Sequence, residues 1–258
     1  MGLVLRIQKV ETVNCLLTAT LGLDLSLLDR LAASIDYPVQ SKVVINNGRP
    51  DALDKWKQSH PDWTVFTSGE NVGCAGAWNA APMLWPGEKA FLIVNDDQEL
   101  QPGCLETIFK AADQQADDYD ILYVNPYDAF DIFVWTAKGV RDFGLFDENF
   151  WPAYFEDYDM RARFAAGKSK VFYIGDKTFP IKHGKPHLAG SKYQAMLLGC
   201  GPLNEDYYLR KWGYGKFKTP FNNPTRSLGY WRVEVDGRAK RQKFWDAFWN
   251  QSNPSVYE

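Results

Sequence analysis

The stretch Ala90-Phe91-Leu92-Ile93-Val94-Asn95-Asp96-Asp97 decides the fold. Five consecutive apolar residues with no polar position among them suit a strand buried on both faces. The run then passes without a break into Asn95-Asp96-Asp97. Carboxylates do not belong in an apolar interior, so this strand must end at a rim where both acids are solvated, paired or metal-bound. Open α/β sheets deliver ligand-binding residues at such carboxyl ends. For the acid pair alone, an ordinary polar turn is the plainer alternative.

Working outward, strand-like runs alternate with helical spacing. Leu25, Leu28, Leu31, Ala32 and Ile35 recur with the period of a helix, and Asp24 stands where an N-cap belongs. Lys42 to Ile45 reads as a short buried strand ending in the loop Asn46-Asn47-Gly48, and Pro50 to His60 as a solvated helix. Trp63 to Phe66 reads as a strand and Asn71 to Leu84 as a helix. Leu105 to Gln115 follows as a helix, with strands at Ile121–Val124 and Ile132–Trp135. A helix starts near Glu156 and ends at Gly167, and Lys170 to Ile174 is the last clear strand. Such alternation predicts an α/β fold, a central sheet flanked by helices. From Phe179 to Pro224, Gly, Pro and aromatic residues dominate. The expected division is therefore an α/β core over residues 1–195 and an irregular or helical C-terminal extension over 196–258.

Composition narrows the function. Among 258 residues, 29 Lys and Arg face 32 Asp and Glu, a net charge of −3, which leaves no basic footprint for nucleic acid. With 45% hydrophobic and 24% charged residues, a disordered chain is excluded. No apolar run approaches the roughly 18–20 residues of a membrane span, and the first residues lack a signal-peptide stretch. Cys15, Cys74, Cys104 and Cys200 are too dispersed for a zinc cluster or a disulfide framework, so a reducing, cytoplasmic setting is expected. The unusual figure is 15% aromatic residues, including 10 Trp. Rings fill cores, but they also make platforms for flat ligands and sugar faces.

Two further segments carry chemistry. Asn71-Val72-Gly73-Cys74-Ala75-Gly76-Ala77-Trp78-Asn79 leads from a loop into a helix. Its small residues permit close backbone approach, and a helix N-terminus favours an anion; taken alone, tight helix–sheet packing is the favoured explanation. In Phe155-Glu156-Asp157-Tyr158-Asp159, three acids fall within four positions at a helix start. Capping acids on a solvated turn explain them in part. The flanking Phe150, Trp151, Tyr154, Phe155 and Tyr158 argue that at least one acid faces a cleft, where a carboxylate with a raised pKa can act as a base.

In this combination, order and spacing, the segments resemble inverting glycosyltransferases of family-2 type with the GT-A fold, especially their soluble, rhamnosyltransferase-like members. The resemblance spans about residues 20–215 and includes Asn204-x-x-Tyr207-Tyr208-x-x-Lys211-Trp212-Gly213, similar to a C-terminal feature of many soluble members. It implies a Rossmann-like, mixed but mostly parallel sheet. It also implies a nucleotide-sugar donor (a UDP- or dTDP-sugar, with GDP a further candidate) and a glycan or other hydroxyl acceptor. Asp97 would bind Mn²⁺ or Mg²⁺, and Asp96 would contact the ribose or the metal's water shell. Asn46, Asn71, Gly73, Trp78, Asn79 and Asn95 would line the donor site. Asn46 stands where the family usually has Asp, and Asn offers the base a donor as well as an acceptor, leaving the identity of the base open. Trp78 replaces a frequent Arg, exchanging a charged contact for stacking. Asp157 matches the catalytic base, with Glu156 beside the donor sugar or acceptor. Either His183 or His187 would add a metal or diphosphate contact. Trp151, Tyr154 and Tyr158 would form an acceptor platform.

These residue types suit sugar transfer. A cation held by carboxylates stabilises charge on a departing diphosphate, and one base suffices to deprotonate an acceptor attacking from the opposite face. A nucleotidyltransferase would carry a Gly-rich basic loop after its first strand, and residues 1–25 hold only Gly2 and Gly22. A glycoside hydrolase using Glu156 and Asp157 fails because its two carboxyls must flank a bond about 5–9.5 Å apart. A non-catalytic carbohydrate binder accounts for the rings but not for the two acidic segments together.

Overall fold

The computed structural model describes residues 15–67, 69–124, 130–175, 181–183 and 192–213. Its strands are β1 (Cys15–Thr20), β2 (Ser41–Asn46), β3 (Thr64–Thr67), β4 (Ala90–Val94), β5 (Gln98–Leu100), β6 (Ile121–Tyr123), β7 (Ile132–Thr136), β8 (Val171–Tyr173) and β9 (Ile181–His183). Its helices are α1 (Leu25–Ala33), α2 (Asp54–Ser59), α3 (Gly73–Leu84), α4 (Cys104–Gln115), α5 (Ala137–Phe143), α6 (Glu156–Gly167) and α7 (Lys192–Trp212). Seven strands form one sheet in the order β3-β2-β1-β4-β7-β6-β8, and β5 pairs with β9 in a separate antiparallel ladder. Only β7 runs against its neighbours β4 and β6; β1–β2, β1–β4, β2–β3 and β6–β8 are parallel.

Every residue of β4 is buried, as the opening stretch requires of a central strand. Alternation then sorts side chains between two cores. Leu16, Val44, Leu92, Val94, Ile132 and Val134 pack with Leu28 and Leu31 of α1, Trp56 of α2, and Leu105, Ile108 and Phe109 of α4. On the opposite face, Leu17, Ile45, Phe91, Ile93, Phe133 and Trp135 meet Ala75, Trp78 and Ala81 of α3 and Met160 and Phe164 of α6. Helices thus cover both faces of the sheet. Asp24 caps α1 as expected, its Oδ1 accepting from the Ser26 amide at 3.0 Å.

Several boundaries differ from the sequence reading. The helix expected from Pro50 is confined to α2, after a turn. β1, α5 and the β5–β9 pair are additional elements, and β9 follows the strand expected to be last. The division expected at residue 195 falls inside α7, whose C-terminal half packs against Phe150 and Phe155 through Tyr207 and Tyr208. Among the described residues, no helix is long and apolar enough to cross a membrane.

Candidate active site

Sheet order reverses between β1 and β4: the chain winds out from β1 to β3, then returns to place β4 on the other side of β1. Loops diverge at such a switch point and leave a crevice beyond the strand ends. A cavity of about 220 Å³ opens there. Ala19, Thr20 and Leu21 enter from β1, Leu23, Asp24 and Leu27 from the start of α1, and Asn95, Asp96 and Asp97 from the end of β4. Asn47, Asn71, Cys74, Trp78 and Pro152 complete the wall.

The Asn71–Asn79 segment is organised by its own polar groups. Asn47 Oδ1 accepts from the Val72 amide at 3.2 Å, Asn71 Oδ1 from Gly73 N at 2.7 Å, and the Pro152 carbonyl from Cys74 N at 2.8 Å. Three successive amides at the head of α3 are therefore already engaged. The expectation that this terminus cradles an anion is corrected accordingly. Gly73 has φ +77°, and a Cβ there would lie 3.0 Å from both Pro152 O and Trp151 Cδ1. Its glycine is required by both conformation and space.

Electrostatics identify what gathers beside the cleft. The Cys74 thiol is pushed well above its usual range by burial and by the charges of Glu156, Asp96 and Asp157. Acids from the end of β4 and the start of α6 thus converge on the first turn of α3. Burial pushes Asp96 up to about 6; the Thr20 hydroxyl opposes the shift and Asp97 adds to it. Glu156, only 5% exposed, is raised well above the carboxylate range by burial and then by Asp157. Its Oε2 meets no hydrogen-bond donor among the described residues. Asp157 is raised by burial as well, against the pull of the Arg161 guanidinium 3.6 Å away.

The expected site residues fare unequally. Asp96, Asp97, Asn95, Asn71 and Trp78 border the cavity. Trp78 nevertheless packs most of its ring against Phe130, Phe133 and Phe146 and presents no open stacking face. Asn46 is buried, with its Nδ2 donating to Arg49 O and Thr67 Oγ1 and its Oδ1 accepting from Gly48 N. Its amide is spent on its own loop. Asn79 clamps the Phe146 backbone, donating to its carbonyl at 3.0 Å and accepting from its amide at 2.9 Å, away from any ligand. Trp151 is buried and donates from Nε1 to Asn71 O at 2.7 Å, so it is a strut of the cleft wall, not an acceptor platform. Tyr154 and Tyr158 are half exposed, and Phe155, Tyr158 and Tyr208 stack around one another with ring centres 5.5–6.4 Å apart. In the β5–β9 ladder, His183 pairs with Gln98, the residue after Asp97. His187 lies outside the described residues.

Sequence reasoning missed Thr20, Asp24, Asn47 and Cys74 as cleft residues and Tyr208 as a member of the ring cluster. A signal existed for Asn47 alone: a polar pair closing a buried strand, read one residue too early.

The mostly parallel sheet with one reversed strand, open at the β1–β4 switch, is the architecture of GT-A glycosyltransferases. The crystal structure of GalNAc-T7 with UDP, GalNAc and Mn²⁺ superposes with a TM-score of 0.54 at 11% identity, over 90% of this chain and 55% of that one. That of Staphylococcus aureus TarS 1–349 with UDP gives 0.52 at 12% identity, over 95% and 74%. The chain belongs to glycosyl transferase family 2, whose sequence profile matches residues 25–176. It is also similar to a galactofuranosyl glycosyltransferase of Leishmania donovani, 28% identical over 158 residues, which are 52% of this chain and 36% of the relative. The chain thus spans about a third of that protein's length.

Proposed function

We propose that this chain transfers a sugar, with inversion, from a nucleoside-diphosphate donor to a hydroxyl acceptor, and that a divalent cation accompanies the donor. The observation that carries the reading is the convergence of Asp96, Glu156 and Asp157 on Cys74 at the edge of the switch-point cavity. Leu21, Leu23 and Leu27 offer an apolar wall for the base and ribose. UDP, present in the related-fold structures of TarS and GalNAc-T7, is the first nucleotide to test, followed by dTDP and GDP.

The wall itself argues for a cation. Its described lining holds Asp24, Asp96 and Asp97 but no Lys, Arg or His. A diphosphate entering such a wall is repelled unless positive charge comes with it. The donors are hard carboxylate oxygens, which fit Mg²⁺ or Mn²⁺. Mg²⁺ and Mn²⁺ sites of this kind commonly take one or two carboxylates and fill the remaining positions with water and phosphate oxygens. Asp97 would hold it, with Asp96 in support and His183 the histidine nearer by ladder register. Such an ion supplies Lewis-acid stabilisation of the leaving diphosphate.

The chain's own residues account for the rest. Asp157, its pKa raised by burial and its carboxylate partly open to solvent, takes the proton of the attacking hydroxyl. Glu156, buried with its Oε2 unmatched by any described donor, offers a hydrogen-bond partner to a donor-sugar or acceptor hydroxyl. Tyr154 and Tyr158 present ring faces to the C–H face of an acceptor glycan.

Calorimetry with UDP, dTDP, GDP and CDP, each with and without Mn²⁺, tests the donor half. Binding of one nucleotide that disappears on chelation is expected. Nucleotide release from the matching sugar donors tests the chemistry. Binding without release across a donor and acceptor panel would mark the chain as a non-catalytic binder instead.

A further inference from the structure

Glu156 and Asp157 stand on an unusual foundation. The two residues before them, Tyr154 and Phe155, both have left-handed backbones, with φ of 76° and 74°. Neither is glycine, so the segment is strained and must be held by its surroundings. Helix α7 supplies the hold from two directions. Asn204 Nδ2 donates to the carbonyls of Ala153 at 2.8 Å and Tyr154 at 3.1 Å, fixing the chain just before the acids. One helical turn past the strained pair, Lys211 Nζ reaches Asp159 Oδ1 at 2.7 Å, and Trp212 Nε1 donates to the same oxygen at 3.0 Å.

The Lys211 ammonium, wholly buried, lies between two wholly buried carboxylates. On its other side Asp147 Oδ2 accepts at 2.8 Å and also takes the Tyr207 hydroxyl at 2.9 Å. Asp147 Oδ1 accepts from the amide and the side chain of Asn149. Arg163 completes the charge balance, its Nε 3.1 Å from Asp159 Oδ2 and its Nη1 donating to the carbonyls of Phe143 and Leu145. Two acids and two bases thus form a buried ion network that joins α7, the Phe146–Phe150 loop and the first turn of α6. None of these groups lines the cleft.

We infer that Lys211, seconded by Asn204, is a positioning residue for the reaction: from α7 it fixes the first turn of α6 and so the placement of Glu156 and Asp157 relative to Cys74 in the cleft wall. The inference rests on the glycosyltransfer reading above. Misplacement of a base by about 1 Å costs up to about 10²-fold in rate without touching donor affinity.

The decisive protein is the double variant Lys211→Met/Asp159→Asn, which removes the grip yet leaves one acid, Asp147, and one base, Arg163. Asn204→Ala is the milder companion. For each, circular dichroism reads the fold, calorimetry the UDP affinity with Mn²⁺, and nucleotide release from the best UDP-sugar gives kcat and KM. Expected are folded proteins with UDP affinity and donor KM unchanged and kcat reduced about 10–100-fold. Folded variants with unaltered kcat would overturn the inference, as would loss of kcat and UDP affinity in parallel. If the double variant does not fold, Asn204→Ala decides by the same two outcomes. Failure of the unaltered protein to release UDP from any donor would sink the glycosyltransfer reading and this inference with it, a result distinct from both.

Discussion

Asp157 and Glu156 are neighbours in the chain but meet different surroundings, and the roles proposed for them differ accordingly. Asp157 keeps contact with solvent and with Arg161 at 3.6 Å, whereas Glu156 is sealed in with Oε2 unmatched by any described donor. Asp157→Asn removes the base with almost no change in shape. Turnover should fall about 10²–10⁴-fold while UDP affinity holds, which parallel rate and calorimetric measurements check. Glu156→Gln should act on stability. Burial raises the Glu156 pKa in the folded protein, so its favourable contribution is full below the unfolded value and is lost as pH rises through the folded one. The variant carries no such penalty. Its melting temperature should match the unaltered protein in acid and exceed it increasingly toward neutral pH, as a scan of thermal denaturation against pH will read. A constant difference across pH would contradict the assignment.

The head of α3 is where an element, rather than a single group, sets the cleft. Gly73→Ala places a Cβ 3.0 Å from the Pro152 carbonyl at a backbone angle that alanine resists. A loss of about 1–3 kcal/mol is expected in denaturant unfolding, with weakened nucleotide binding because Asn71 and Cys74 move with the turn. The same scale explains what the sequence disclosed. The buried runs of β2, β4, β6 and β7 and the periodic helices α1 and α4 were legible because one strong hydrophobic pattern dominates each, and α6 was legible from its acidic start and its terminal Gly167. β1 was not: its Thr18 and Thr20 are buried, so alternation misleads. The three-residue strands β5 and β9 and the seven-residue α5 are too short to carry a period. α7 contains Gly199, Gly201 and Pro202, which read as breakers; its tertiary bonds override them. For the site, acids at strand and helix ends were visible as residues out of place in an apolar pattern. The burial of Trp151 was not, since it depends on Asn71, a partner distant in sequence; nor was the spending of Asn46, which follows from the turn its loop adopts around Gly48 and Arg49.

At the scale of the molecule, the Phe146–Phe150 loop and the start of α6 depend on α7. A chain ending at residue 195 would leave Asp147 and Asp159 buried without Lys211, a change that costs about 3–5 kcal/mol for a broken buried pair. Such a protein should lose its cooperative thermal transition or aggregate, as calorimetric scanning will show; a sharp native-like transition would refute the dependence. The strand order carries a consequence for the route to the native state. β1 to β4, which frame the nucleotide cleft, all lie between Cys15 and Val94, whereas the acids await a closure 64 residues long between Asp147 and Lys211. Closing long loops is entropically slow relative to local pairing. The nucleotide-holding half is therefore expected to assemble first and the proton-transfer half last, so during refolding nucleotide-binding capacity should return before turnover.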